Sequence, residues 1–144
     1  MDKRLEDVLE SKWLWLLARV LIVVVFALAG VAKLLDFDGG VAEMRQAGLE
    51  PAWAYNIIVS TGLLVASLLI LLDRWMWLAA GGLAMFLGLT IFVVHHFWSL
   101  PLPQAKLSMF FALEHLSLIG GLLAIAIASH TRSAWLASLQ RWNQ

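Results

Sequence analysis

Four long apolar runs alternate with short polar connections along the chain: Trp13 to Ala32, Trp53 to Leu72, Trp75 to Val94 and Leu107 to Ala128. Each reaches the roughly 20 residues that a helix needs to cross a hydrocarbon core of about 30 Å. The pattern predicts an all-α integral membrane four-helix bundle, with spans at about 13–34, 53–72, 75–97 and 107–128. Ahead of the first run, Leu5, Val8 and Leu9 fall on one side of a helix and Asp2, Glu6, Asp7 and Glu10 on the other. That arrangement suits a short interfacial lead-in. After the fourth run, Trp135, Leu136, Leu139 and Trp142 repeat at helical spacing beside Arg132 and Arg141, which predicts a second amphipathic segment on the membrane surface.

The connections differ in kind. From Lys33 to Pro51 the chain is long for a helical hairpin, and Val41 and Met44 predict a short interfacial helix over Val41 to Ala47. Asp73-Arg74 leaves only a two-residue turn, so spans two and three are expected as tight antiparallel neighbours. Between His95 and Lys106, Pro101 and Pro103 prevent the third helix from running on into the fourth.

Composition narrows the class. With 62% hydrophobic and 14% charged residues in 144, four spans consume nearly all the material, and the chain is read as one membrane domain, 1–144. The net charge of zero, with basic residues dispersed, excludes a nucleic-acid surface. Absence of cysteine removes thiol chemistry, thiolate metal sites and iron–sulfur clusters. Arg19 interrupts the first apolar stretch, so Leu14 to Ala29 is read as a span and not as a cleaved leader.

Basic residues at the span ends set an expected orientation. Lys3, Arg4, Lys12, Arg74, Arg132 and Arg141 fall on one side, against Lys33, Arg45 and Lys106 on the other, where Asp36, Asp38, Glu43 and Glu50 add negative charge. The expectation is N-in and C-in, in a bacterial inner membrane with the acidic loop on the periplasmic side. Six of the eight tryptophans lie at span ends, Trp13, Trp15, Trp53, Trp75, Trp77 and Trp98, and are read as an aromatic belt without a ligand role.

Candidate chemistry lies where polar groups interrupt the spans. In the first span Arg19, Val23, Phe26, Gly30 and Lys33 point within about 40° of a common direction, giving one face a cation at each end. Arg19 has two readings, snorkelling to nearby headgroups or forming an interior ion pair. Of the adjacent His95 and His96, His95 is the better interior candidate, because Gly88 and Phe92 share its face. Glu114 lies about 10 Å below the start of the fourth run, on a face that continues through Ser117 and Gly121, and is expected to point inward, with His115 beside it. Small residues, Gly81, Gly82 and Gly88 in the third run and Gly120, Gly121 and Ala124 in the fourth, are read as helix-packing surfaces. The histidines and Glu114 have suitable ligand types for a metal, yet adjacent positions splay and no HExxH or ExxH spacing appears, so no metal site is assigned.

These residues carry a family resemblance. Ala18-Arg19, the segment from Phe26 through Gly30 to Lys33, Asp36-Phe37-Asp38-Gly39-Gly40, Met44 with Gly48 and Pro51, His95-His96-Phe97-Trp98 and Gly120-Gly121-Leu122-Leu123 together resemble the DoxX family of small four-helix membrane proteins. The resemblance implies a role like that of relatives that look like membrane subunits of thiosulfate:quinone oxidoreductases, partner oxidative-stress or thiol-redox proteins, or act as chaperone-like or cargo-binding proteins. Two departures stand out. Relatives often carry a carboxylate in the second span, where this chain has Ser60 and Thr61, and a Lys-Asn or similar pair in the fourth, where it has Glu114-His115.

Two functions are consistent with these residues. The first is a small inner-membrane subunit of a quinone-linked or respiratory oxidoreductase, not catalytic alone. Arg19, Lys33, His95, Glu114 and His115 would form the cofactor-binding set around a quinone, with Glu114 and His115 handling protons. The second is a non-catalytic assembly module that docks other membrane or periplasmic subunits. A carrier is less attractive, because no inverted repeat or broken helix is evident.

Overall fold

The computed structural model describes residues 2–142, without the side chains of 136, 137 and 139–142. Leu136, Leu139 and Trp142, part of the expected terminal stripe, therefore lie outside the described side chains. Among the described residues every element is helical. A short α1 (Lys3–Leu9) precedes the first span, α2 (Lys12–Leu35), and α3 (Phe37–Gln46) follows it. The remaining spans are α4 (Ala52–Leu71), α5 (Met76–Val93) and α6 (Gln104–Trp142), with a 3-10 turn at Phe97–Ser99 between the last two. Four helical stretches are long and apolar enough to cross a membrane, so the chain is a multi-pass membrane protein. The side where α2 begins and α6 ends is called the terminal face below, and the opposite side the loop face.

Local chemistry explains the boundaries. Ser11 caps α2 by accepting from the Leu14 N–H at 3.2 Å, and Asp36 starts α3 by accepting from the Gly39 N–H at 3.1 Å. Val41 and Met44, read from the sequence as the apolar side of this short helix, are both buried. Between α4 and α5, Asp73 and Trp75 both take left-handed backbone, with φ of 54° and 48°. Aspartate tolerates that region; a tryptophan there is strained.

α5 ends at Val93, where the His95 N–H turns back to the Thr90 carbonyl, while the stretch apolar enough to cross a membrane runs on to Ser99. One expectation needs correction. The fourth helix does not stop near 128. It runs unbroken for 39 residues, about 58 Å, so the terminal amphipathic segment continues the span instead of forming a separate element.

The core is apolar and follows the helix faces. Val23, Phe26, Leu63, Ile70, Ala79, Leu83, Leu87 and Leu122 form its centre. α2 packs chiefly on α4 and α5 chiefly on α6, with α4 against α5 joining the two pairs, while α2 and α6 touch much less. Gly30 lets α2 approach α4 closely, because a Cβ there would lie 3.1 Å from the Ser60 carbonyl. Most of the glycines expected at packing surfaces are not there. Nothing lies within 4 Å of a Cβ placed on Gly81, Gly82, Gly88 or Gly120, and only Gly121 meets a neighbour, Ile22 Cδ1 at 2.9 Å.

Candidate functional site

Arg19 is an interior ion-pair residue. Its guanidinium donates to the Leu71 carbonyl at 2.8 Å and lies 4.0 Å from the Asp73 carboxylate, at the turn joining α4 and α5. Asp73 also accepts from the Trp15 indole N–H at 2.7 Å and from the Ser129 hydroxyl at 2.8 Å. One carboxylate thus gathers α2, the α4–α5 turn and α6. Arg19 and Arg132 both lie against the Trp15 ring, 5.5 and 6.0 Å from its centroid. Trp15 is therefore not a plain belt residue, although Trp13, Trp53, Trp75, Trp77 and Trp98 are all well exposed, as a belt requires.

An open cleft of about 570 Å³ borders this hub, lined by Asp73, Trp75, Trp77, Ser129, His130 and Ser133 among others. Sequence reasoning passed over Asp73 and Ser129. Asp73 looked like the polar half of a two-residue turn, and Ser129 lay just past the assigned end of the fourth span.

At the loop face a second cluster forms where α2, α3 and α4 meet. Lys33 pairs with Glu43, and the fully buried Asn56 donates to the Lys33 carbonyl at 3.2 Å and to the Phe37 carbonyl at 3.5 Å. Ser60, also fully buried, donates to the Asn56 carbonyl at 2.6 Å. Gly40 makes room for the amide: a Cβ at that position would sit 2.4 Å from Asn56 Oδ1. A pocket of about 230 Å³ lies alongside, lined by Ala29, Ala32, Lys33, Asp36, Gly40 and Glu43. Asn56 was not singled out from the sequence, although a lone carboxamide in an uncharged span is the signal that could have found it.

The histidines occupy a third place. His95 stacks on Phe111, with centroids 5.2 Å apart, and meets His115 edge-on at 4.9 Å, between the end of α5 and α6. His95 is half-buried, as is His96, and not through its helical face: Phe92 is 70% exposed, and His95 lies beyond the last residue of α5. His115 Nδ1 and Ser108 Oγ are buried without hydrogen-bond partners among the described residues.

Glu114 overturns an expectation. It is exposed, as is Ser117, and among the described residues it takes part in no hydrogen bond or ion pair. In the part of α6 nearest the loop face, Ser108 and Ala112 are buried and His115 half-buried, which turns Glu114 about 100° away from the packed side. The proposed cofactor-binding set of Arg19, Lys33, His95, Glu114 and His115 does not converge. Arg19 lies in the terminal-face hub, Lys33 in the α2–α3–α4 corner and the two histidines between α5 and α6, and His95, Glu114 and His115 line neither the cleft at Asp73 nor the pocket beside Lys33. Among the described residues no group of three or more His, Asp or Glu is placed to hold a metal ion.

The DoxX family model matches residues 14–96, more than half of the chain. The chain belongs to the DoxX family. The matched segment contains Arg19, Lys33, Asn56, Asp73 and His95, and stops before α6 with Glu114, His115 and Ser129. No curated protein and no solved structure matches the chain.

Proposed function

We propose that this DoxX protein is a non-catalytic assembly module, a small multi-pass scaffold that docks other subunits. The observation that carries the reading is the use of the polar groups inside the spans. Arg19 and Asp73 tie three parts of the bundle together, and Lys33, Glu43 and Asn56 fix α3 across the loop face. Arg19, Asp73, Lys33 and Glu43, so engaged, act as interhelical fasteners, and Asn56 spends its N–H donors on the same task while its buried Oδ1 has no partner among the described residues. A quinone site would need donors arranged around one apolar slot, and the residues first assigned to that task are distributed over three places.

The quinone-linked oxidoreductase reading retains one specific observation, the edge-on His95–His115 pair beside Phe111, which offers imidazole and aromatic surfaces together. Native mass spectrometry of gently extracted protein separates the two. The scaffold reading expects stoichiometric protein subunits and no quinone on this chain; quinone bound one-to-one, and lost in His95→Phe, would overturn it.

A further inference from the structure

We infer that the exposed side of α6 around Glu114 is the seat of a transmembrane helix from a different protein, which presents a basic side chain at the depth of this carboxylate. The inference rests on the scaffold reading and names its contact. Its starting point is a change in what α6 faces along its length. Glu114 and Gly121 are seven residues apart and point within about 20° of each other. Gly121 meets Ile22 of α2, whereas Glu114, about 10 Å nearer the loop face, is exposed. The other links between these helices lie toward the terminal face, where Arg132 covers Trp15 and where Trp15 and Ser129 share Asp73. α2 therefore parts from the side of α6 above Gly121, and the opening carries a carboxylate.

Depth decides the class of occupant. Glu114 lies about 10 Å below the first apolar residue of its span, Leu107, within a hydrocarbon core about 30 Å thick. A charge there is costly unless it is paired, and a lipid ammonium rides at the headgroup level, too far out for the short glutamate side chain. A helix brings its own polar group to that depth. The exposed neighbours on α6 suit its approach: Ser117, Gly120 and Ala124 are small, and Gly120 has open space where a Cβ would stand. A second copy is the poorer fit. A parallel symmetric pair sets carboxylate against carboxylate; Arg19 and Lys33 are already bonded to Leu71, Asp73 and Glu43, and Lys12, Lys106 and Arg132 stand toward the ends of the spans.

The test uses the full chain, fluorescently labelled, in phosphatidylcholine vesicles with a labelled single-span Leu-Ala peptide. One peptide carries a single Lys about 10 Å below the interface, and its control has Leu there. Energy transfer is expected to show the Lys peptide associating about tenfold more tightly, the size of one interhelical polar contact in lipid. Glu114→Gln should bring the two peptides within twofold of each other. Gly120→Leu, placed in open space, should weaken Lys-peptide binding while leaving helix content and melting unchanged, so the test survives a folding fault in the first variant. Equal binding of the two peptides, or a preference that persists in Glu114→Gln, would overturn the inference. So would Glu114-dependent self-association without peptide, or a Glu114 effect that appears only with phosphatidylethanolamine. Bound quinone found by mass spectrometry would defeat the scaffold reading and leave the peptide preference untouched.

Discussion

Trp15 donates its indole N–H to the Asp73 carboxylate at 2.7 Å, joining residues 58 positions apart. The bond links the start of the first span to a turn whose backbone is left-handed at Asp73 itself. Because Arg19 and Ser129 bind the same carboxylate, the turn and the two spans α2 and α6 hold one another in place.

Removing that acceptor should be the most damaging polar change in the bundle. Asp73→Ala leaves the Trp15 N–H, the Ser129 hydroxyl and Arg19 without their shared partner, and because the carboxylate is about a third exposed the cost is about 1–3 kcal/mol. Asp73→Asn keeps an acceptor and should cost about half as much. Thermal unfolding in mild detergent, followed by helical circular dichroism, gives both values; equal melting of Asp73→Ala and the parent chain would refute the hub.

Gly40→Ala places a methyl group 2.4 Å from Asn56 Oδ1. The amide is fully buried, so it has little room to withdraw, and the expected loss is about 1–3 kcal/mol. Combining Gly40→Ala with Asn56→Ser should recover part of it, since the two residues touch and their effects are not additive. A double variant no more stable than the additive sum would show that the crowding lies elsewhere.

His115 carries a buried ring nitrogen without a partner, beside the edge of His95. His115→Phe keeps an aromatic ring in that contact and removes the unsatisfied atom. Stability should stay level or rise by up to about 1 kcal/mol. A loss above 2 kcal/mol on detergent melting would reveal a hydrogen bond that this geometry does not contain.

Glu114→Leu is expected to leave the isolated chain's stability within about 0.5 kcal/mol, because the side chain is exposed and bonds to nothing among the described residues. The same change should lower the yield of any complex purified with native subunits. Pull-down yield and melting temperature, measured on one preparation, distinguish a docking residue from a structural one.

Hydropathy and periodicity determined the four spans, the short helix over Val41 and Met44, and the α2 face of Arg19, Val23, Phe26, Gly30 and Lys33, because lipid and a packed core impose a helical repeat that a single strand of sequence displays. Tertiary structure alone decided what that face meets. That Arg19 binds at Asp73, that Lys33 answers Glu43 and that Asn56 fastens α3 depend on which helices pair and where the turns place their ends. Glu114 marks the limit of the repeat: its face meets Ile22 at Gly121 and is open two turns away, and how one helix lies against another is written in no helix by itself.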